Sequence, residues 1–142
     1  MEQGVLDALK DELFPVSKVI TPNIYEASAL SGMNIENKDD MEKAAKKLKN
    51  FGPDTVIITG GHFEGGKETL EMIYDGQAFH RIKGRKIKGE YHGTGCAFSA
   101  AITALLAKGT SVIEAAKKAK EFIELAIKDA HGIGKGMRLL NV

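Results

Sequence analysis

The run His92-Gly93-Thr94-Gly95-Cys96 leads straight into Ala97, Phe98, Ser99, Ala100 and Ala101, a glycine-rich turn opening an alanine-rich helix. Glycines let a backbone approach a ligand closely, and the first free amides of a helix aim partial positive charge at whatever sits before them. The chemistry this suits is anion binding, with phosphate the natural occupant. Cys96 falls in the first turn, where the helix dipole favours negative charge, and this makes it a candidate general base or nucleophile. The same run also reads as a tight strand-to-helix turn with Cys96 as a small buried hydrophobe.

Two further groups of residues have chemical potential. Asn23 and Glu26 stand three apart ahead of an Ala- and Leu-rich stretch that ends at Gly32, the spacing of a capping box. Thr59, Gly60 and Gly61 close a β-branched run, Thr55 to Thr59, at the carboxyl edge of a strand, where α/β folds hold ligands in the crevice beyond the strand ends. By contrast, His62, His80, His92 and His131 lack metal-ligand spacing, so no zinc site is expected. Between Arg81 and Lys88 the residues Arg81, Lys83, Arg85, Lys86 and Lys88 are basic, with Ile82 and Ile87 between them. Strand alternation with the isoleucines inward makes that patch a solvated face rather than a phosphate or RNA site.

The elements that must carry these residues follow from periodicity. Val5, Leu6, Leu9 and Leu13 predict a surface helix closed by Pro15, and Val19, Ile20 and Thr21 predict a short buried strand stopped by Pro22. Met41, Ala44, Ala45, Leu48 and Phe51 trace one face of a helix capped by Asp39 or Asp40 and ended by Gly52 and Pro53. Leu70 to Tyr74 and Gln77 to Ile82 flank Asp75-Gly76, predicting an antiparallel hairpin with a two-residue turn at the sheet edge. Lys83 to Lys88 predicts a turn and another short strand. Cys96 to Leu106 predicts a buried helix ended by Gly109, and Ser111 with Glu114 opens a helix to about His131, followed by a loose tail from Gly132. Short apolar strands alternating with amphipathic helices predict an α/β fold of parallel βαβ units, and no linker divides the chain, so one compact unit is expected.

Composition narrows the function classes. The chain has 142 residues, of which 43% are hydrophobic and 27% charged, within the range of soluble globular domains. Twenty Lys and Arg against nineteen Asp and Glu give a formal charge of +1, so no global field recruits nucleic acid or anionic lipid. No apolar stretch approaches a membrane span and no basic-then-apolar signal segment opens the chain, and with a single cysteine the expected address is the cytoplasm.

Taken in order, Thr21-Pro22-Asn23 with Glu26-Ala27, Ile58-Thr59-Gly60-Gly61-His62, and His92-Gly93-Thr94-Gly95-Cys96 with Ser99-Ala100-Ala101-Ile102 resemble the ribokinase-like kinases. Within them, the resemblance is to the hydroxymethylpyrimidine and phosphomethylpyrimidine kinases of thiamine biosynthesis, because sugar and vitamin B6 kinases generally carry Asp at the position of Cys96. The resemblance implies a three-layer ribokinase-like fold, here partial: a mostly parallel sheet with an antiparallel hairpin at one edge and helices on both faces. It spans residues 1–142 as the carboxy-terminal, nucleotide-binding half of such a kinase, so a fragment lacking the acceptor-binding half is expected. It implies ATP-dependent phosphorylation of 4-amino-5-hydroxymethyl-2-methylpyrimidine and of its monophosphate. Cys96 would be the base, the amides of Gly93, Thr94, Gly95 and Cys96 would stabilise the moving phosphoryl oxygens, and Thr94 would add its hydroxyl. Asn23, Glu26, Thr59 and Gly61 would contact the nucleotide, with Glu26 organising Mg²⁺. The alternatives are a pyridoxal-type kinase fragment and a catalytically silent nucleotide-binding module. Thr59 departs from the Lys that many pyrimidine kinases carry, and Tyr91 from a common Thr. Without the preceding strands, Val19 to Thr21 would have an open edge, and self-association through it is expected.

Overall fold

Short β-branched runs and side-chain caps set the first half of the chain. In the computed structural model, which describes residues 2–60, 68–85, 87, 91–130 and 137–140, Val19–Ile20 (β1) and Thr55–Ile58 (β2) pair in parallel, Val19 opposite Thr55 and Ile20 opposite Val56. Glu68–Tyr74 (β3) runs antiparallel to β2, with Ile57 opposite Ile73, and Phe79–Arg85 (β4) completes a sheet of order β1-β2-β3-β4. The class is α/β, as expected, and the hairpin lies at the edge. The four-stranded sheet itself is mixed, because only β1 and β2 are joined by a helical crossover.

The helices differ from expectation at their ends. The first begins at Gln3 (α1, Gln3–Ala8), widens into a π turn over Leu9–Leu13 and tightens into a 3₁₀ turn over Phe14–Val16. Pro15 stands at the start of that last turn, where its missing N–H costs no hydrogen bond, so it opens a turn instead of closing a helix. Gly52, at φ 112°, lies against Pro15: a Cβ there would come within 2.7 Å of the Pro15 Cα. Two helices follow β1, Ile24–Ser31 (α2) and Lys38–Lys49 (α3). The cap of α3 is Asn37, whose Oδ1 accepts the Asp40 N–H at 3.0 Å, not Asp39 or Asp40. A cap must stand outside the helix in extended backbone, as Asn37 does; the two aspartates lie inside the first turn and favour the dipole from there. Met41, Ala44, Ala45 and Leu48 of α3 are buried on Val56 and Ile58 of β2 and Leu70 and Met72 of β3, forming the core.

The hairpin connection is wider than a two-residue turn. Asp75 to Ala78 link β3 and β4, because Asp75 Oδ1 accepts the N–H groups of both Gln77 and Ala78 at 2.8 Å and holds them out of the ladder. Along β4, Arg81, Lys83 and Arg85 are exposed while Ile82 is half-buried, the alternation expected of a solvated face. Arg81 pairs with Glu42, and Lys83 with Glu68 at 3.3 Å.

The residues cluster into two compact units, Met1–Lys83 and Gly84–Val142, where the sequence pattern predicts one. In the second, Tyr91–His92 (β5) pairs in parallel with Arg138–Leu139 (β6), so the tail expected to be loose contributes a strand. Thr94–Ala107 (α4) packs on Val112–Lys128 (α5). The expectation that α4 is buried fails: Phe98 and Ile102 are buried, but Cys96, Ala100, Thr103, Ala104 and Ala107 are exposed. Alanines carry little surface to hide, so an apolar composition alone does not enclose a helix on all sides. Gly109, at φ 82°, turns the chain out of α4, and Ser111 Oγ accepts the Glu114 N–H at 3.4 Å to start α5, which ends at Lys128. No helix among the described residues is long and apolar enough to cross a membrane.

Candidate functional site

The glycine-led corner is built by a strand, a reversal and an uncapped helix. After β5, Gly93 takes φ 91° and ψ 0°, a left-handed conformation that redirects the chain at little cost only in glycine. The first intrahelical bond of α4 is the Ala97 N–H to the Gly93 carbonyl at 2.9 Å, so the amides of Thr94, Gly95 and Cys96 lie ahead of the ladder. Among the described residues no side chain caps this end, and no acidic residue occupies the first turn to neutralise the dipole. A Cβ built at Gly93 or Gly95 would meet no atom of the described residues within 4 Å. Cys96 is exposed, which removes its reading as a small buried hydrophobe. The Ser99 hydroxyl donates back along the helix to the Gly95 carbonyl at 3.0 Å. The predicted residues Gly93, Thr94, Gly95 and Cys96 therefore form one contiguous surface within the second unit.

In the first unit, the structure brings three more predicted residues together. The Asn23 N–H donates to Glu26 Oε2 and the Glu26 N–H donates to Asn23 Oδ1, both at 2.9 Å, which closes the capping box of α2. Beyond the ends of β1 and β2, Asn23 and Thr59 form a parallel bridge, and the Thr59 N–H donates to the Pro22 carbonyl at 2.9 Å. Gly60 follows at φ 77°, and Gly61 and His62 lie outside the described residues. Asn23, Glu26 and Thr59 thus share the carboxyl edge of the parallel pair, the position from which α/β sheets address ligands.

The cap limits what this edge can offer a cation. Asn23 Oδ1 and Glu26 Oε2 are occupied, leaving Oε1 of the exposed Glu26 as the carboxylate oxygen with no partner among the described residues. No group of three or more His, Cys, Asp or Glu gathers among the described residues. One carboxylate oxygen suits Mg²⁺, which keeps much of its water and takes other ligands from substrate phosphates, and does not suit a metal needing an all-protein cage. A carboxylate that the periodicity passed over is Glu71, only 4% exposed in β3. The signal for it was a charge interrupting the apolar run from Leu70 to Ile73.

The chain is an α/β protein with a strand-edge capping box in its first unit and a glycine-led, uncapped helix start in its second, and the comparisons say which family it is. Residues 1–141 match the model of the phosphomethylpyrimidine kinase family, and the chain belongs to that family. It is 38% identical over 141 residues to the hydroxymethylpyrimidine/phosphomethylpyrimidine kinase of Aquifex aeolicus, covering 99% of this chain and 54% of that protein. It is 47% identical over 125 residues to a pyridoxine kinase of Bacillus subtilis, covering 87% of this chain and 46% of that protein. Among solved structures, an ADP complex of Bacillus subtilis pyridoxal kinase superposes with a TM-score of 0.93 at 41% identity, over 99% of this chain and 55% of that one. The ribokinase-like fold follows from these neighbours. The chain spans about half the length of the relatives it matches.

Proposed function

We propose that this chain is the carboxy-terminal, nucleotide-binding half of a cytoplasmic kinase that phosphorylates 4-amino-5-hydroxymethyl-2-methylpyrimidine and its monophosphate at the expense of ATP. The observation that carries this reading is an exposed Cys96 at the third position of an uncapped α4, in a chain that the family matches over residues 1–141. Cys96 Sγ accepts the proton of the acceptor hydroxyl as that oxygen bonds to the γ-phosphorus. The phosphorus–oxygen bond to the β-phosphate then breaks, and ADP leaves with the electron pair. The amides of Thr94, Gly95 and Cys96 face the charge on the transferring oxygens, with the Thr94 hydroxyl beside them and Gly93 setting the corner. Asn23, Glu26, Thr59 and Gly61 are assigned to the nucleotide, and Glu26 is the residue that would hold Mg²⁺. Bound there, the cation would neutralise phosphate charge.

A kinase acting on pyridoxal or pyridoxine is the second reading, favoured by the 47% identity to a pyridoxine kinase. Calorimetry with Mg-ATP, followed by product analysis with the pyrimidine and with pyridoxal as rival acceptors, separates the three possibilities. Phosphorylated pyrimidine supports the first reading and phosphorylated pyridoxal the second. The product analysis is made on the full-length gene product, where nucleotide binding without either product identifies a silent module.

A further inference from the structure

Two hydroxyls bond backward along one face of α4. Ser99 Oγ donates to the Gly95 carbonyl at 3.0 Å, and Thr103 Oγ1 donates to the Ser99 carbonyl at 2.8 Å. A bond of this kind, from a side chain to the carbonyl four residues back, does not strengthen a helix and often bends it. Its consequence falls on the peptide unit whose carbonyl it engages.

The two engaged peptide units differ in their other half. A peptide group is planar, so the Gly95 carbonyl and the Cys96 N–H turn together and point in opposite directions along the helix axis. The first ladder bond of α4 comes from the Ala97 N–H, so the Cys96 N–H lies ahead of the ladder. The Ala100 N–H, which shares a peptide with the Ser99 carbonyl, lies inside it. The Thr103 hydroxyl therefore reaches a peptide that the ladder already holds at both ends, while the Ser99 hydroxyl reaches one held at its carbonyl end alone. The orientation of that second plane is set by rotation at Gly95 and Cys96, and glycine restrains such rotation least. A bond accepted at a peptide oxygen also polarises the N–H across the plane, strengthening the bond this N–H donates by roughly 10–30%.

We propose that Ser99 is a positioning residue for phosphoryl transfer: its hydroxyl fixes and polarises the Gly95–Cys96 peptide so that the Cys96 N–H meets the charge on the transferring oxygens. Ser99 touches no reacting atom and acts through the Cys96 amide. This inference rests on the phosphotransfer reading and extends it by one residue. Thr103 supplies the internal control, because it makes the same bond one turn further along, where the amide of the engaged peptide is part of the ladder.

Ser99→Ala, Ser99→Thr and Thr103→Val in the full-length gene product, assayed for transfer from Mg-ATP to the pyrimidine and to pyridoxal, test it. Ser99→Ala should lower kcat roughly tenfold, short of the roughly 10²–10³ lost with a whole amide donor, while KM for Mg-ATP and the melting temperature stay unchanged. Ser99→Thr keeps the hydroxyl and should restore kcat, and Thr103→Val should leave it at the parental value. The Cys96 amide proton resonance should move upfield in Ser99→Ala and return in Ser99→Thr, reading the polarisation directly. Should Ser99→Ala fail to fold, Ser99→Cys takes its place, since a thiol is a weak donor. A parent that phosphorylates neither acceptor overturns the phosphotransfer reading and this inference with it. An active parent with undiminished kcat in Ser99→Ala, an equal loss in Ser99→Thr or Thr103→Val, or an unmoved Cys96 resonance overturns this inference alone.

Discussion

The start of α2 and the start of α4 solve the same problem in opposite ways. Every helix begins with amides that have no partner in its own ladder. At α2 the chain supplies its own answer: Asn23 and Glu26 exchange side-chain and backbone bonds at 2.9 Å, leaving one carboxylate oxygen to spare. At α4 it supplies none: Gly93 has no side chain to offer, and among the described residues no side chain caps the amides of Thr94, Gly95 and Cys96. Helices α3 and α5 follow the first pattern, through Asn37 and Ser111. Helix α1 also starts without a side-chain cap, so what sets α4 apart among the described helices is the left-handed Gly93 at its start.

The largest effect should come from the open end. Cys96→Ala should reduce phosphoryl transfer by roughly 10²–10⁴-fold while nucleotide affinity and melting temperature stay unchanged, because a base acts in the transition state and this side chain is exposed. Turnover measured beside calorimetry decides it, and undiminished turnover would strip Cys96 of its role. Next, Gly93→Ala should cost about 1–2 kcal/mol in urea unfolding, since the added methyl meets no neighbour and only the left-handed backbone is strained. At the self-capped end, Asn23→Ala should lower stability by about 1 kcal/mol. If it instead weakened Mg-ATP binding with no loss of stability, Asn23 would be a ligand rather than a cap, and the contrast between the two ends would disappear.

The smallest effect concerns a carboxylate that, like Asn23, closes local amides. The amides of Ala78 and then Gln77, helped by His80 at 3.2 Å, lower the pKa of Asp75 from 3.8 to about 2. The folded state therefore binds fewer protons than the unfolded one in that window. The stabilisation is complete above 3.8 and is lost as the pH falls through about 2. Urea midpoints across this acid range should fall less steeply for Asp75→Asn than for the parent chain; equal slopes would show that the turn does not depend on the carboxylate.

Much of this was readable from local chemistry. The capping box at Asn23 and Glu26, the face Met41-Ala44-Ala45-Leu48 and the glycine turn into α4 depend on spacing within a few residues, and all stand where spacing puts them. The errors share a cause. Asp75-Gly76 suggested a minimal turn, but a carboxylate reaching two amides widened it, and the cap of α3 moved to Asn37 because backbone conformation decides between neighbouring polar residues. The enclosed α4 and the loose tail failed because both depend on what lies across space, not along the chain.

The order of short motifs was enough to point to the family by resemblance, the alternation of strands and helices to the α/β class, and local spacing to the residues of the glycine corner. Tertiary structure alone decided that Thr59 lies beside Asn23, that Cys96 is open to solvent, and that the tail pairs with Tyr91 and His92 as a strand. Those outcomes depend on strand register and burial, which arise from contacts between segments tens of residues apart and have no signature in local spacing.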